Sequence, residues 1–517
     1  MASKIKQFAL NAGSGWAAQL SFAIVGLILM PYIIIRVGES GYGIFQLARS
    51  GLLFFMFLQL GMGPTLVRFF AQSIAKNDTE ELRRINSTAQ LLLGGLGMLA
   101  CLSCLALIPV FINFYQIPAE LVKETNHLLI CMILSLFLSM TSIVPQGLVF
   151  GVNRYDLANY FEIANHLIML AVVVALFEYI RPSIFFVGIA ILSGQLFRYA
   201  ALFSVAIKYT GKAALFSIQR INRKSMQAVL GFSMLNLANS VAATVAFQGP
   251  VLIIGKVMGE EMVTAFAPAL LISSAMQGFL GKTTRPLVPL ASQDRELNRG
   301  LSLGNWAISG GQLAAFVGFG ITLPLIVFGH EIMGLWLGEN LSWIWPIVAV
   351  MSTGVAISQV QAANYFLALG GGQINPTVYS QIVMAVVVFT GTLLGTVWFG
   401  WNLLAVAFYI GLCIFIRNTF YLAYAYSRQF SYDYVHYLWR VYGIPLFITF
   451  TCAGFGWFMK VVLPPQNIIV LITEGIIVLG LYIIFCWIFL LPRLVKEKMT
   501  AFGLAKIKRI SISPSPS

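Results

Sequence analysis

Apolar residues follow one another in long runs, separated by short polar segments, from Gln19 to Leu490. Each run holds at least about 18 residues with few charges, so a helix formed from it can cross a hydrocarbon core of ~30 Å. The runs lack the alternation of a barrel strand, and a helix satisfies its own backbone hydrogen bonds in lipid. The pattern therefore predicts an all-α polytopic membrane protein.

Fourteen of these runs are predicted to be transmembrane helices. Their ranges are 10–36, 42–67, 87–113, 121–150, 157–180, 183–208, 226–256, 262–290, 303–328, 342–369, 376–399, 402–427, 435–460 and 466–492. The longest interruption, from Lys208 to Lys224, separates two groups of six helices. It is the predicted linker between two halves of the chain.

A weak internal repeat relates the two halves. Moving 220 residues along the chain takes Ile33 to Ile253 and Leu60 to Leu280. A constant offset over this distance indicates one unit that is present twice. Because each unit has an even number of helices, both enter the membrane from the same side, which predicts two parallel six-helix repeats forming two lobes around a central cleft. Helices thirteen and fourteen fall outside the repeat.

The composition agrees with a membrane protein. Of the 517 residues, 59% are hydrophobic and 10% are charged, whereas charged residues make up about 25% of soluble domains. The net charge of +14 lies in alternate loops, with 24 Lys and Arg residues on one side and 5 on the other. Because basic loops stay in the cytoplasm, both termini are predicted to be cytoplasmic. The charge thus indicates contact with anionic lipid, and no nucleic-acid partner is expected.

These observations predict five parts of the chain. They are an N-terminal six-helix lobe (1–209), a cytoplasmic linker (210–225), a C-terminal six-helix lobe (226–427), the additional helices thirteen and fourteen (428–492) and a basic cytoplasmic tail (493–517). We find no P-loop and no pairing of a nucleophile with a base, so an enzyme is not expected. No metal site is expected either, because the four histidines are scattered.

Three segments resemble a known family. They are NAGSGWAAQLSFAIVGLILMPYIIIRVGESGYGIFQLARS (11–50), LGMGPTLVRFFAQ (60–72) and QGLVFGVNRYDLANYFEIANHL (146–167). They resemble bacterial O-antigen and exopolysaccharide flippases of the multidrug/oligosaccharidyl-lipid/polysaccharide exporter superfamily. By architecture the resemblance covers about residues 10–427, and it is sharper in the first 170. No single motif in it is diagnostic.

The resemblance implies a V-shaped helical fold in the bacterial inner membrane. It implies that a polyprenyl-pyrophosphate-linked oligosaccharide is carried across that membrane by alternating access, for lipopolysaccharide or exopolysaccharide synthesis. The partners expected on this interpretation are the lipid-linked glycan, membrane lipid, a polysaccharide polymerase and a chain-length regulator. No cofactor is expected, and H⁺ and Na⁺ are the candidate coupling ions.

Three arginines lie inside predicted spans, namely Arg49, Arg198 and Arg417. An arginine at bilayer depth costs roughly 3 kcal/mol, and the usual solution is to face a watery cavity. Arg198 and Arg417 are 219 residues apart, so they occupy matching places in the two halves. Two such cations could bind one pyrophosphate, because the guanidinium fork is planar and permanently charged. The alternative is that each arginine extends to lipid headgroups.

Amides in the apolar spans are the second group of candidate substrate contacts. Gln46 shares a helix face with Arg49 at a spacing of three residues. The other amides, on the first helix of each half, are Gln19, Asn236, Asn239 and Gln248. Such side chains can hydrogen-bond sugar hydroxyls, or they can join helices to one another.

Two acidic residues are also embedded in predicted spans. Glu162 has His166 one turn later on the same face, which predicts a cation or proton site that drives transport. The alternative is that Glu162 only pairs with Arg154. Glu474, in span fourteen and outside the repeat, is predicted to form a structural pair.

Two other functions fit the pattern. The first is an ion-coupled multidrug or metabolite antiporter of the same superfamily, although span one has no acidic residue. The second is a non-transporting membrane scaffold within a polysaccharide synthase complex. Transport of cationic dyes would favour the antiporter, and the absence of all translocation would favour the scaffold.

Overall fold

The structure is a computed structural model and describes residues 2–59, 62–217, 234–284, 287, 303–371, 373–465 and 467–490. These residues are almost entirely helical and contain no strand. Thirteen of their helices are long and apolar enough to cross a membrane. The prediction of an all-α polytopic membrane protein is therefore confirmed.

Eighteen α-helices are described. They are α1 (Ala2–Phe55), α2 (Met62–Ala75), α3 (Thr79–Tyr115), α4 (Ala119–Gly151), α5 (Tyr155–Tyr179), α6 (Ile184–Thr210), α7 (Met234–Val257), α8 (Glu260–Thr284), α9 (Leu303–Val327), α10 (Gly329–Leu337), α11 (Trp345–Val360), α12 (Ala362–Gly370), α13 (Asn375–Val397), α14 (Leu403–Ile416), α15 (Ala423–Phe430), α16 (Tyr434–Leu438), α17 (Ile444–Val462) and α18 (Ile468–Phe485). Three π-helical segments follow α14, α16 and α18, at Arg417–Leu422, Trp439–Gly443 and Cys486–Leu490. Short 3₁₀ helices lie at Met56–Gln59, Gly211–Ala214 and Glu339–Ile344.

The first helix contains two membrane spans. Its backbone is interrupted at Gly38, where φ is +79°, a left-handed conformation that glycine adopts at no steric cost. Phe22 and Leu53 nevertheless line one small cavity, although on a straight helix they would be roughly 46 Å apart. The parts before and after Gly38 therefore run antiparallel, which accounts for fourteen predicted spans against thirteen long helices.

The chain forms two compact units. The first consists of Met1–Ala275 and Val378–Tyr409, and the second consists of Met276–Thr377 and Ile410–Ser517. The boundaries predicted at residues 209, 225 and 427 derive from the sequence repeat, and they stay a prediction. Part of the predicted linker (218–225) and all of the predicted tail (493–517) lie outside the described residues.

Polar side chains cap the N-termini of several helices. Asp78 accepts a hydrogen bond from the Glu81 backbone N–H at 2.9 Å at the start of α3. Asn467 accepts bonds from the second and third residues of α18 at 3.1 and 3.0 Å. Such caps satisfy amide groups that have no partner within the helix, so they fix where each span begins.

Lipid-facing and protein-facing sides are distinct on the helices. Phe447 and Phe450 on α17 are 70% and 74% exposed, whereas Cys452 on the same helix is fully buried. Lipid solvates large apolar side chains well, so they gain little from packing inside the protein. The polar residues that face the interior therefore carry the information about function.

Candidate functional site

The first unit contains a cavity of about 80 Å³. Its lining consists of Phe22, Met30, Tyr42, Gln46, Arg49, Leu53, Gln248, Ala267, Leu270, Leu271 and Ser274. The cavity thus brings together three predicted site residues, Gln46, Arg49 and Gln248. It is smaller than the roughly 300–1,000 Å³ of pockets that enclose drug-sized ligands. In this conformation it suits the headgroup of a substrate better than a whole oligosaccharide.

Helical periodicity places these side chains on the cavity wall. After Gly38, the lining residues of α1 are Tyr42, Gln46, Arg49 and Leu53, which recur at intervals of three or four. Residues at this spacing share one face of a helix. The wall formed by α8 follows the same rule at positions 267, 270, 271 and 274.

Two polar groups of this cavity, on Gln248 and Arg49, have no hydrogen-bond partner among the described residues. Gln248 Oε1 is buried and has no hydrogen-bond partner among the described residues. Within that same part of the chain, Arg49 has no hydrogen bond and no carboxylate within ion-pair distance. Gln46 is 6% exposed. An exposed, permanent cation beside a buried amide oxygen suits a ligand that carries both anionic oxygens and hydroxyls.

A set of close contacts, which we call the turn clasp, joins the α1 turn to the start of α8. Ser40 Oγ donates to Glu260 Oε1 at 2.8 Å, and Thr264 Oγ1 donates to the Glu39 carbonyl at 2.5 Å. A Cβ atom on Gly43 would lie 1.9 Å from the Glu260 carbonyl oxygen, so only glycine fits there. Ser40 and Glu260 are 220 residues apart. This separation equals the offset of the predicted repeat.

Arg198 forms an ion pair. Its Nε lies 2.5 Å from Glu162 Oε2, and its side chain is 12% exposed. Its Nη atoms donate to Ser142 Oγ at 3.3 Å and Gln146 Oε1 at 3.2 Å. Glu162 also lies 3.6 Å from His166 Nε2. Predicted anion binding by Arg198 and predicted ion coupling by Glu162 and His166 therefore fall on one charge cluster.

The alternative pairing of Glu162 with Arg154 is wrong. Arg154 forms a two-point contact with Asp156 instead, with both Nε and Nη2 at 3.0 Å from its oxygens. Asp156 is two residues away on the chain, whereas Glu162 lies two turns farther along α5. The guanidinium therefore reaches the nearer carboxylate, and Glu162 is left to Arg198.

His166 connects the charge cluster to α1. Its Nδ1 lies 2.8 Å from Ser21 Oγ, and the Ser21 hydroxyl donates to the Ala18 carbonyl at 2.8 Å. Either group can donate in the contact between Ser21 and Nδ1, depending on the tautomer of His166. Nε2 faces Glu162 Oε1 at 3.6 Å, so a protonated ring would form an ion pair with this carboxylate. The chain of contacts runs from α1 through α5 to α6.

Arg417 belongs to the second unit. It is half-buried and begins the π-helical segment Arg417–Leu422. In that segment, Asn418 Nδ2 donates to the Ile414 carbonyl at 2.7 Å, and the Asn418 carbonyl accepts from Gln361 at 2.9 Å. Single π-helical turns often occur at functional sites. Since Arg198 lies in the first unit and Arg417 in the second, binding of one pyrophosphate by both stays a prediction.

The remaining predicted amides lie apart from the cavity lining. Gln19 donates to the Ala275 carbonyl at 3.4 Å, so it joins helices. Asn239 Oδ1 is buried and has no partner in the described part of the chain. The side chain of Asn236 lies outside the described residues.

Sequence reasoning missed a buried polar network in the second unit, which we call the amide–tyrosine network. Gln361 donates to Tyr442 Oη at 3.1 Å. Asn364 donates to Gln361 Oε1 at 2.7 Å and Tyr437 Oη at 3.0 Å, and it accepts from Tyr432 at 3.3 Å. The available signal was the spacing of three between Gln361 and Asn364, but their tyrosine partners lie more than 65 residues away along the chain.

Comparison with known proteins gives a family and a fold. Residues 9–293 match the model of a family described as polysaccharide biosynthesis protein. Among solved structures, the lipid II flippase MurJ in an inward closed conformation has a TM-score of 0.69 and 11% identity, covering 92% of this chain and 98% of that one. Among curated protein sequences, none matches.

Two transporters of the MOP superfamily share the fold as well. A multidrug resistance MATE family transporter in an inward-facing conformation has a TM-score of 0.67 and 12% identity, covering 80% of this chain and 98% of that one. A transporter from Pyrococcus furiosus has a TM-score of 0.54 and 12% identity, covering 82% and 97%. At these identities the likeness concerns the fold, and it confirms the predicted two-lobed helical architecture.

Proposed function

We propose, since the chain belongs to the polysaccharide biosynthesis protein family, that it is a flippase for polyprenyl-pyrophosphate-linked oligosaccharide. It is a multi-pass membrane protein with the fold of known transporters and flippases. The proposal places it in the bacterial inner membrane with both termini in the cytoplasm. The chemistry is binding and movement without covalent change of the substrate.

The observation that carries the proposal is the cavity around Arg49. A guanidinium binds a diphosphate through charge-assisted hydrogen bonds, and Arg49 has no carboxylate that competes for it among the described residues. The amides of Gln46 and Gln248 provide donors and acceptors for the first sugar hydroxyls. Apolar side chains, among them Phe22, Leu53 and Leu271, line the rest of the cavity.

Movement of the substrate requires the cavity to open to each membrane face in turn. The turn clasp at Ser40, Gly43 and Glu260 closes one end, which the charge pattern assigns to the outer face. Separation of Ser40 from Glu260 would release the glycan on that side. The polyprenyl chain remains in the lipid throughout, because its transfer into water would be too costly.

Ion coupling is assigned to the cluster of Arg198, Glu162 and His166. Glu162 neutralises Arg198 in this conformation. Binding of H⁺ or Na⁺ at Glu162 would weaken that pair and free the guanidinium for an anion. The cluster links α1, α5 and α6, so ion binding at Glu162 would alter contacts of α1, the helix that carries Arg49.

Transport by the purified protein in proteoliposomes tests the proposal. A fluorescent polyprenyl-diphosphate oligosaccharide in the outer leaflet is protected from membrane-impermeant reductant only after it has crossed. We expect protein-dependent protection. Ion-driven uptake of cationic dyes without lipid movement would favour the antiporter, which the charge cluster and the MATE-like fold also support. Movement of neither substrate would favour the scaffold.

A further inference from the structure

Glu474 lies on the only protein-facing stripe of α18 within its described length. The buried residues of this helix and of the π-helical segment that follows are Glu474, Val478, Tyr482, Cys486 and Leu490, at intervals of four. Most of the remaining surface is apolar and exposed, as on Ile476 and Ile483. The carboxyl group therefore points into protein and away from lipid. It lies roughly 9 Å from the start of the helix, at 1.5 Å per residue.

This carboxyl group is almost completely buried and has no hydrogen-bond partner in the described part of the chain. Its side chain is 2% exposed, and neither oxygen has a hydrogen bond within the described residues. The predicted structural pair is therefore wrong. Lys460 on α17 acts electrostatically on Glu474, but its ammonium is already held by Glu331 Oε1 at 2.6 Å and by the Val327 carbonyl at 3.1 Å. Glu331 Oε2 is also buried without a hydrogen-bond partner.

The surrounding charges leave an excess of one carboxylate if every group is ionised. The titratable groups on the elements that pack against Glu474, and on its own helix and its extension, are Lys460, Cys452, Glu331, Tyr482, Cys486 and His330, of which His330 is exposed. α9, which also packs here, contains no charged residue. Lys460 is the only one of these groups with a permanent positive charge; it pairs with Glu331 and acts electrostatically on Glu474.

The ionised and neutral forms of Glu474 differ greatly in the free energy that their burial costs. An ionised carboxylate that is buried without donors loses its hydration and receives nothing in exchange, whereas the neutral acid loses far less. A bound Na⁺ would need several further oxygen ligands. No group of three or more His, Cys, Asp or Glu side chains that could hold a metal ion occurs among the described residues, which favours a proton over a metal cation here.

We propose that Glu474 is a proton-binding site on α18, separate from the Arg198 cluster, with the Lys460–Glu331 pair as its adjustable counter-charge. In the conformation observed, the proton is bound to a Glu474 oxygen. When Lys460 leaves Glu331 and approaches Glu474, the O–H bond breaks, the proton passes to entering water, and the ammonium neutralises the new carboxylate. Proton binding stands by itself; its coupling to lipid movement rests on the proposed function.

Infrared spectroscopy of the purified protein in lipid nanodiscs tests proton binding without any transport. We expect a carbonyl stretching band of a protonated carboxylic acid at pH 7 that is lost in Glu474→Gln, an isosteric variant that keeps the packing. The matched control is Glu178→Gln, because Glu178 is 46% exposed and pairs with Arg36. The control should keep the band. Identical wild-type and Glu474→Gln spectra would overturn the proposal.

The counter-charge is tested by Lys460→Met. Loss of the ammonium removes the group that favours the carboxylate, so the band should persist to higher pH than in wild type. An unchanged titration would show that Lys460 does not act on Glu474. In proteoliposomes, Glu474→Gln should still move lipid but lose its response to a pH gradient. An intact response would refute the coupling while leaving the infrared result in place.

Discussion

The cavity around Arg49 and the amide–tyrosine network contain similar residues but differ in whether their amides have hydrogen-bond partners. Both place amides inside apolar helices. In the network, Gln361 and Asn364 find partners at 2.7–3.3 Å on three tyrosines and a carbonyl. In the cavity, the Gln248 oxygen has none in the described part of the chain.

This difference distinguishes residues that stabilise the fold from residues that bind a ligand. A buried polar group without a partner costs about 1–3 kcal/mol, and a ligand that supplies the missing hydrogen bond would offset this cost. A satisfied network stiffens the unit that contains it. We therefore assign Gln361 and Asn364 to folding, and Arg49, Gln46 and Gln248 to binding.

The largest expected effect is on transport by Arg49→Ala. Loss of charge-assisted hydrogen bonds of about 1.5–3 kcal/mol should slow lipid movement about 10- to 100-fold. Arg49→Lys should keep part of the rate, since it preserves charge without the planar fork. The proteoliposome protection assay measures both. A normal rate in Arg49→Ala with an unchanged amount of folded protein would remove Arg49 from the site.

Asn364→Leu should affect stability more than transport. The fully buried amide makes three hydrogen bonds, and its loss leaves Gln361 and Tyr437 less satisfied, at a cost of about 2–3 kcal/mol. Thermal unfolding in detergent should show a lower midpoint. The transport rate per folded molecule should remain close to wild type. A stable variant that has lost transport would mean that the network is functional.

Gly43→Ala extends the comparison of the cavity with the network. The polar groups of the turn clasp have hydrogen-bond partners, yet the clasp lies in the same unit as the cavity. The added Cβ would meet the Glu260 carbonyl at 1.9 Å, so the clasp should be weakened by about 2 kcal/mol. Hydrogen exchange at residues 36–44 and 258–264 should become faster. Gly51→Ala is the matched control, since no atom lies within 4 Å of its Cβ. Equal exchange in both variants would contradict a closed clasp.

The smallest expected effect is a change in the stability of Gln248→Leu, and the direction of this change is informative. Gln248→Leu removes an unsatisfied amide, so the empty protein should become more stable by about 1 kcal/mol. Transport should fall at the same time, because an oligosaccharide contact is lost. Thermal unfolding and the protection assay on one preparation measure both. Destabilisation would indicate that Gln248 has a structural partner.

The sequence predicted much of the fold because hydropathy determines where spans lie. It also placed Gln46 and Arg49 on one face from their spacing alone. It did not predict that Glu162 would pair with Arg198, because 36 residues separate them and only the packing of α5 on α6 brings them together. For the same reason, the sequence did not predict the tyrosines around Asn364. It also predicted a partner for Glu474 that is not found among the described residues.

Binding of the substrate headgroup tests the central assignment most directly. Affinity for polyprenyl diphosphate can be compared with affinity for the uncharged polyprenol, using wild-type protein and Arg49→Ala in the same nanodiscs. We predict that wild type prefers the diphosphate at least about tenfold and that Arg49→Ala loses this preference. An equal preference in the two proteins would contradict the assignment of the cavity as the diphosphate site.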